Sequence, residues 1–222
     1  MESASEYPEG ERSQLKRIPE RGTRERAAIH AILDEGMICH VGFTTDRGPV
    51  VIPTIYARVG ERLYLHGSPA SRMLRDLSKG VPVCVTVTHV DALVLARSAF
   101  HHSMNYRSAV IFGTATEVKD REEKERALAA VVEHVVPGRA NATRPPNDFE
   151  FQYTRVLAVE IEEATAKVRT GPPNDDTEDL RLPHWAGLIP VRVAYGPPEP
   201  AANLNSEITT PEHAARYRRP TG

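Results

Sequence analysis

The stretch Leu63-Tyr64-Leu65-His66-Gly67-Ser68-Pro69-Ala70-Ser71-Arg72-Met73-Leu74 decides more about the fold of this chain than any other. It predicts a strand that ends at His66, followed by a sharp turn, which Gly67 permits because glycine has no Cβ atom. A short helix over residues 68–78 should follow the turn. The stretch therefore predicts a strand–turn–helix unit.

The turn of this unit is rich in residue types that bind phosphate. Ser68 can cap the helix, and Pro69 suits its first position. The hydroxyls of Ser68 and Ser71, the guanidinium of Arg72 and the free N–H groups of the first turn would then converge, as in a phosphate site at a helix N-terminus. A capped surface helix with a solvated arginine explains the spacing equally well, so spacing alone leaves both interpretations open.

Apolar residues alternate on both sides of this unit, which is typical of half-buried strands. We predict one helix over residues 23–33, capped by Thr23, and a second over residues 120–136. The predicted strands span residues 37–43, 49–59, 62–66, 82–88, 91–96, 107–118 and 154–168. Short antiparallel connections and few helices predict a mainly β fold with peripheral helices, in which about six strands close into a barrel.

Proline usage divides the chain into three parts. Residues 1–22 are polar and are predicted to form a flexible N-terminal arm, whereas residues 23–170 should form a single barrel domain. Residues 171–222 hold nine of the 18 prolines and the only tryptophan, Trp185. We expect this Pro-rich C-terminal extension to pack on the barrel or on a partner protomer.

Charge and hydropathy argue against several classes of protein. A chain of 222 residues can bury one substantial core, and its net charge of −2 leaves no large basic surface for nucleic acid or membrane. No apolar run approaches the roughly 20 residues that span a bilayer, and the N-terminus has no hydrophobic signal core. We therefore expect a cytoplasmic protein with no nucleic-acid or membrane partner, and core positions for Cys39 and Cys84.

Three ordered motifs together carry a resemblance to a known family. They are residues 65–72, Leu93-Val94-Leu95-Ala96-Arg97-Ser98 and His102-Ser103-Met104-Asn105-Tyr106-Arg107-Ser108. In this order they resemble one branch of the pyridoxamine 5′-phosphate oxidase superfamily, the flavin-nucleotide-binding proteins related to nitroimidazole-resistance reductases. The resemblance covers about residues 24–195.

The resemblance implies a six-stranded antiparallel split β-barrel of the FMN-binding type, with FMN in a cleft between the two protomers of a homodimer. The phosphate would be held by Ser68, Ser71 and Arg72, next to His66 and Gly67. The flavin ring would be lined by residues of a preceding strand, namely Ile52, Pro53 and Thr54. It would be approached from a later strand by Asn105, Tyr106 and Ser108. Trp185 would come from the C-terminal segment.

Two positions depart from the pattern of this family. Ala92 stands where the family has Gly in an Asp-Gly-Leu-Val motif, so the turn there should differ. Met73 stands where many relatives have a second basic residue after Arg72. The phosphate would therefore lose one charge partner.

We predict from these features an FMN-dependent oxidoreductase that acts on a small organic molecule. His66 is the expected catalytic residue, because a neutral imidazole there could hydrogen-bond the flavin or the substrate, or relay a proton. His66 could equally do no more than satisfy a nearby carbonyl group. The alternative function is a non-enzymatic flavin- or haem-binding protein for storage, sensing or haem handling. His40 lies on the mixed face of its strand and is expected to be a packed or partly solvated histidine, although such a site could serve a haem as axial ligand. No metal site is predicted, because the adjacent His101 and His102 would point to opposite faces of a strand.

Overall fold

The computed structural model describes residues 5–219, in which nine strands and five α-helices form around one barrel. The strands are β1 (Gly22–Thr23), β2 (Ile38–Thr45), β3 (Gly48–Val59), β4 (Arg62–Gly67), β5 (Pro82–Leu95), β6 (Ser103–Glu117), β7 (Arg155–Glu160), β8 (Glu163–Arg169) and β9 (Gly187–Pro190). The helices are α1 (Arg26–Glu35), α2 (Arg72–Leu77), α3 (Arg121–Val135), α4 (Asp148–Gln152) and α5 (Glu212–Ala215).

Six antiparallel strands close into a ring in the order β2–β3–β4–β7–β6–β5, and β5 pairs back with β2. Strand β8 lies outside this ring and pairs with the first half of β6. The ring confirms the predicted six-stranded antiparallel barrel with peripheral helices.

Long β6 serves both parts of the sheet because it changes partner along its length. It pairs with β8 up to Phe112 and with β7 from Ala115 onward. Gly113 lies at this change of partner, where a Cβ atom would stand 2.1 Å from the carbonyl oxygen of Glu160. Only a residue without a side chain fits so close an approach of two backbones.

The core fills the barrel with the inward side chains of alternating strand positions. Cys39 and Val41 on β2 are fully buried, as are Leu63 and Leu65 on β4. Helix α1 covers this core with Ile29, Ile32 and Leu33, and α2 adds Leu74 and Leu77. Cys84 faces outward and is only partly buried, so the expected core position holds for Cys39 alone.

Several predicted element boundaries are wrong. The strands predicted over residues 82–88 and 91–96 form one strand, β5, because a bulge between Val90 and Ala92 lets it bend without ending. The single strand predicted over residues 154–168 is two strands, β7 and β8. Its turn contains no glycine or proline, and backbone bonds from Ile161 N to Glu61 O and from Glu162 N to Phe112 O hold the chain there instead.

Another wrong boundary is the start of the first helix. Helix α1 begins at Arg26, not at Thr23. Thr23 lies in β1, which pairs with β8, and its hydroxyl accepts a hydrogen bond from Glu25 N. The end of the helix at Gly36 is as the sequence indicates.

Both terminal segments make specific contacts with the barrel. Tyr7 is 2% exposed, and its hydroxyl contacts His30 Nε2 at 2.7 Å and donates to Glu61 at 2.5 Å. At the other end, Arg219 donates to the carbonyl oxygens of three consecutive residues at the C-terminus of α1, 34–36, and to that of His134 in α3. The domain boundaries at residues 23 and 170 stay a prediction.

In the described part of the chain, no helix combines the length and the apolar character that crossing a membrane requires.

Candidate functional site

The candidate site begins where β3 and β4 separate. Tyr56 of β3 pairs with Leu65 of β4, and beyond this pair β3 continues along β2 while β4 continues along β7. The positions that follow the last shared pair are residues 52–55 on β3 and 66–67 on β4. The sequence-predicted ring-lining residues therefore lie next to the end of β4.

His66 lies in this gap with one ring nitrogen uncommitted. Its Nδ1 atom is buried and makes no hydrogen bond within residues 5–219. Burial lowers the pKa of His66, so the ring is held neutral near pH 7. A buried polar atom without a partner is costly, and such atoms in native proteins often await a ligand or an ion.

The turn after His66 differs from the predicted helix start. Ser71 N donates to Ser68 O at 2.9 Å, and the Ser68 hydroxyl accepts from Ala70 N at 3.2 Å. These two bonds form a separate turn, so α2 begins only at Arg72, and Ser68 does not cap it. Residue Ser71 stands at the N-cap position without a side-chain bond to the helix. Gly67 sits close over the core, because a Cβ atom there would stand 3.1 Å from Leu74.

Arg72 lines a cavity of about 550 Å³ between α2 and the β2–β3 turn. Its guanidinium makes no hydrogen bond or ion pair with the described residues. The Ser71 hydroxyl likewise has no described partner. Phosphate is bound in proteins by such uncommitted hydroxyl and guanidinium donors, so Ser71 and Arg72 are able to hold it.

The predicted ring-lining residues alternate across the sheet. Ile52 points toward the barrel interior and packs against the core, whereas Pro53 is exposed on the outer face. Thr54 is half-buried, and its hydroxyl donates to Ile55 O at 3.3 Å. These three positions therefore offer both a side-chain surface and a strand edge next to His66.

Asn105, Tyr106 and Ser108 lie in the first part of β6, away from the gap between β3 and β4. Asn105 is buried, donates to Gly171 O at 3.1 Å and accepts a hydrogen bond from Arg169. The Ser108 hydroxyl donates to Lys167 O at 3.3 Å. Two of these three side chains are thus already hydrogen-bonded within the chain.

Arg169 lies beside Asn105, and the sequence did not indicate it as a site residue. It is only 7% exposed, and its described partners are Asn105 and the carbonyl oxygens of Gly171 and Pro172. No motif surrounds it, and a single arginine at a strand end gives no signal in a sequence.

Trp185 lies just before β9, which pairs with the end of β5. Its side chain is 68% exposed and packs over Gly187. The predicted site residues therefore form two groups, one around β3, β4 and α2 and the other around β5, β6 and β9. Within residues 5–219 no hydrogen bond or ion pair joins the two groups.

The remaining histidines do not form a metal site. Among residues 5–219, no cluster of three or more His, Cys, Asp or Glu side chains is placed to hold a metal ion. His101 contacts Asp176 at 3.1 Å, and His102 bonds to Ser98 O at 3.0 Å. His40 is exposed on the outer face of β2, opposite Pro53, with its ring unengaged by the described residues.

The chemical groups at the end of β4 and the start of α2 are of the types that bind a flavin phosphate. Arg72 supplies positive charge, Ser71 supplies a hydroxyl, and the unpartnered Nδ1 of His66 supplies a polar contact next to the strand edge at 52–54. A haem would need a nitrogen ligand, and the imidazole rings of His66 and His40 are both of the right type.

Comparison with known proteins places this geometry in a family. The sequence model described as pyridoxamine 5′-phosphate oxidase matches residues 25–168. No curated protein matches the chain in sequence.

Among solved structures, the flavocytochrome Anf3 from Azotobacter vinelandii shares 38% sequence identity with a TM-score of 0.89, over 96% of this chain and 99% of that one. The FAD and haem binding protein from Mycobacterium smegmatis shares 33% identity with a TM-score of 0.83, over 87% and 95% of the two chains. A candidate 5-nitroimidazole antibiotic resistance protein from Bacteroides thetaiotaomicron shares 26% identity with a TM-score of 0.55, over 66% and 86%.

The family model covers more than half of the chain, and the first two structures match nearly all of it. The ring of six strands agrees with both observations. The chain therefore belongs to the pyridoxamine 5′-phosphate oxidase family of split-barrel proteins.

Proposed function

We propose that this protein is an FMN-dependent oxidoreductase that acts on a small organic molecule and works as a homodimer. The observation that supports this most is the set of uncommitted donors at the end of β4, namely the Nδ1 atom of His66, the Ser71 hydroxyl and the Arg72 guanidinium. Family membership and the flavin named for two relatives point the same way.

Arg72, Ser71 and Ser68 would hold the phosphate of FMN, and residues 52–54 of β3 would contact its ring. Bound FMN supplies the electron or hydride transfer. His66 would orient the substrate or move a proton, because its neutral ring can donate and accept a hydrogen bond. The protein would thus contribute position, proton handling and exclusion of water.

A homodimer would explain why the two groups of predicted site residues lie apart within one chain. In a two-fold dimer each group of one chain can meet the other group of its partner. The outer face of β2 and β3 supports such an interface, because Ile38 and Ile55 stand opposite each other and are 44% and 37% exposed, and Val51 is 62% exposed. Branched apolar side chains on a solvent-facing sheet favour burial against a partner.

A second candidate function is a flavin- and haem-binding protein without a small-molecule substrate. The specific observation in its favour is that Anf3, a flavocytochrome, and the FAD and haem binding protein match this chain over nearly its whole length. His40 and His66 would then be the candidate axial ligands.

The phosphate assignment is tested by titrating FMN into the apoprotein. A charge-assisted contact contributes roughly 1.5–3 kcal/mol, so Arg72→Ala should weaken FMN binding about ten- to a hundredfold. The fold should be unaffected, because Arg72 is exposed.

The matched control is Arg126→Ala, on the solvent face of α3, where the one ion-pair partner of Arg126 within residues 5–219 is Glu122, at 3.6 Å. This variant should bind FMN as the wild type does. Equal affinities for all three proteins would remove Arg72 from the cofactor site.

A further inference from the structure

Arg169, at the end of β8, is a buried cation whose bonded partners are all neutral. It donates hydrogen bonds to the side-chain oxygen of Asn105 and to the carbonyl oxygens of Gly171 and Pro172. No carboxylate of the described residues is close enough to raise its pKa. Buried charges in proteins are nearly always paired with an opposite charge, because taking an ion out of water is costly. Arg169 therefore lacks a counter-ion.

Two other arginines of the barrel show the contact that Arg169 is missing. Arg58 donates from Nε and Nη2 to the two carboxylate oxygens of Asp34, at 2.8 and 2.5 Å. Arg107 uses the same two nitrogens for Asp91, at 3.1 and 2.8 Å. Arg169 donates only from Nη1 and Nη2, and its Nε makes no hydrogen bond within residues 5–219. The edge that holds a carboxylate in the other two arginines is thus without an anion here.

The edge of the Arg169 guanidinium that carries Nε can be reached from outside. Its Nε atom is not one of the enclosed side-chain atoms that lack a partner, so it is open to solvent. A guanidinium has five N–H donors, and the three bonds of Arg169 leave two of them without an acceptor in the described chain. Water can satisfy these donors but cannot neutralise the charge. A carboxylate or a phosphate does both.

The surroundings of Arg169 add positive charge. Burial and then the nearby charge of Arg21 lower the pKa of Arg169. Lys167, two residues earlier on the same face of β8, donates to the backbone oxygen of Arg17 at 3.0 Å. Neither Arg21 nor Lys167 forms an ion pair within the described chain, and neither does the exposed Glu20 beside Arg21. Such a group of like charges favours a bound anion.

Other carboxylates of this region are committed elsewhere. Asp175 and Asp176, which follow the turn at Gly171, pair at 2.7 and 3.1 Å with the side chains at positions 97 and 101. Glu163, on the same face of β8 as Arg169, is held by Arg12 at 2.5 Å. The counter-ion of Arg169 must therefore come from outside the described chain.

We propose that Arg169 and Arg21 form an oxyanion-binding site at the end of β8. The ligand group is the carboxylate of a small organic acid or a phosphate, bound at the Nε edge of Arg169. This site lies beside Asn105 and is separate from the proposed flavin phosphate contact at Arg72. It does not depend on the proposed function, because no flavin contact enters its geometry.

Calorimetric titration with sodium phosphate and with sodium benzoate, at one fixed ionic strength, tests the site. Every protein in the test carries Arg72→Ala, so a failure of the flavin phosphate assignment leaves the result unaffected. We expect saturable binding of at least one of the two anions. Arg169→Gln should raise its dissociation constant at least about tenfold, the effect of losing a charge-assisted contact. Arg21→Gln should raise it about two- to fivefold, because Arg21 contributes charge at a partly exposed position.

The matched control is Arg126→Gln, which removes an arginine that is 68% exposed on α3. It should leave the dissociation constant unchanged. Equal constants in all four proteins, or no binding of either anion, would overturn the site. If Arg169→Gln does not fold, the NMR signal of the Arg169 Nε–H group decides. A saturable shift with the anion supports the site, and a signal that stays fixed overturns it.

The two anions also separate the two sources of the ligand group. Tighter binding of benzoate identifies a small organic acid as the ligand, whereas tighter binding of phosphate identifies a phosphate group. Either result supports the site only if Arg169→Gln weakens the binding of that same anion.

Discussion

At the scale of a single residue, His66 is the side chain that we expect to take part in the chemistry of this site. Its Nδ1 atom is buried without a described partner, and burial rather than a helix dipole keeps its pKa low. The alternative in which His66 only satisfies a carbonyl finds no hydrogen bond to support it among residues 5–219. A neutral ring next to the strand edge at 52–54 is suited to hydrogen bonding and proton transfer.

We predict that His66→Ala slows reduction or reoxidation of the bound flavin by about tenfold or more, the low end for a positioned acid–base group. Stopped-flow absorbance of protein that retains its flavin spectrum measures this. His184→Ala, at an exposed position in the C-terminal extension, is the control. Unchanged rates in His66→Ala would exclude His66 from the mechanism.

The same histidine predicts the direction of the pH dependence. Because its folded-state pKa lies below 6.5, the ring is neutral at pH 7 and becomes protonated only as the pH falls through that lowered value. The wild-type rate should therefore be flat from pH 7 upward and decline at acid pH, and the decline should be absent in His66→Ala.

Single residues also show the limit of what the sequence can predict about the site. The motif around Asn105 lies in the first part of β6, but the side-chain amide of Asn105 is bonded to Arg169, which no motif contains. The chain turns back at Gly171 (φ 101°), and this turn brings carbonyl oxygens within reach of the buried Arg169 side chain. Such a contact depends on the tertiary fold and leaves no pattern in the sequence.

At the scale of elements, alternation of apolar residues located the barrel strands well. It could not separate β7 from β8, because inward positions alternate on both and the connection has no turn residue. It divided β5 in two, because a bulge shifts the alternation by one residue in the way that a strand end does. Tyr7 lay in a polar segment without periodicity, so its burial was not predictable.

Gly113 gives the sharpest test at this scale. Gly113→Ala would place a methyl group 2.1 Å from the Glu160 carbonyl oxygen, so the crossing of β6 from β8 to β7 must open. We predict a loss of about 1–3 kcal/mol in the free energy of unfolding, as for an overpacked core. Urea denaturation measures it.

The control for this variant is Gly196→Ala, whose Cβ would meet no atom within 4 Å. It should change the free energy of unfolding by less than about 0.5 kcal/mol, as for an ordinary surface substitution. A Gly113→Ala protein as stable as this control would contradict the close approach of the two strands.

At the scale of the whole molecule, the account depends on a dimer. Light scattering should show a homodimer, and Val51→Lys should weaken it, because this change places charge on the outer sheet face. Val132→Lys, on the exposed side of α3, is the matched control and should leave the dimer intact. A monomer that binds one flavin per chain would contradict the shared site.

The cofactor is the central claim, and the absorption spectrum of freshly purified protein, with and without reductant, tests it most directly. The account predicts flavin bands in the blue part of the visible spectrum that bleach when reductant is added. A Soret band alongside them would favour the flavin- and haem-binding function. A spectrum with neither, unchanged after addition of FMN or FAD, would contradict the account.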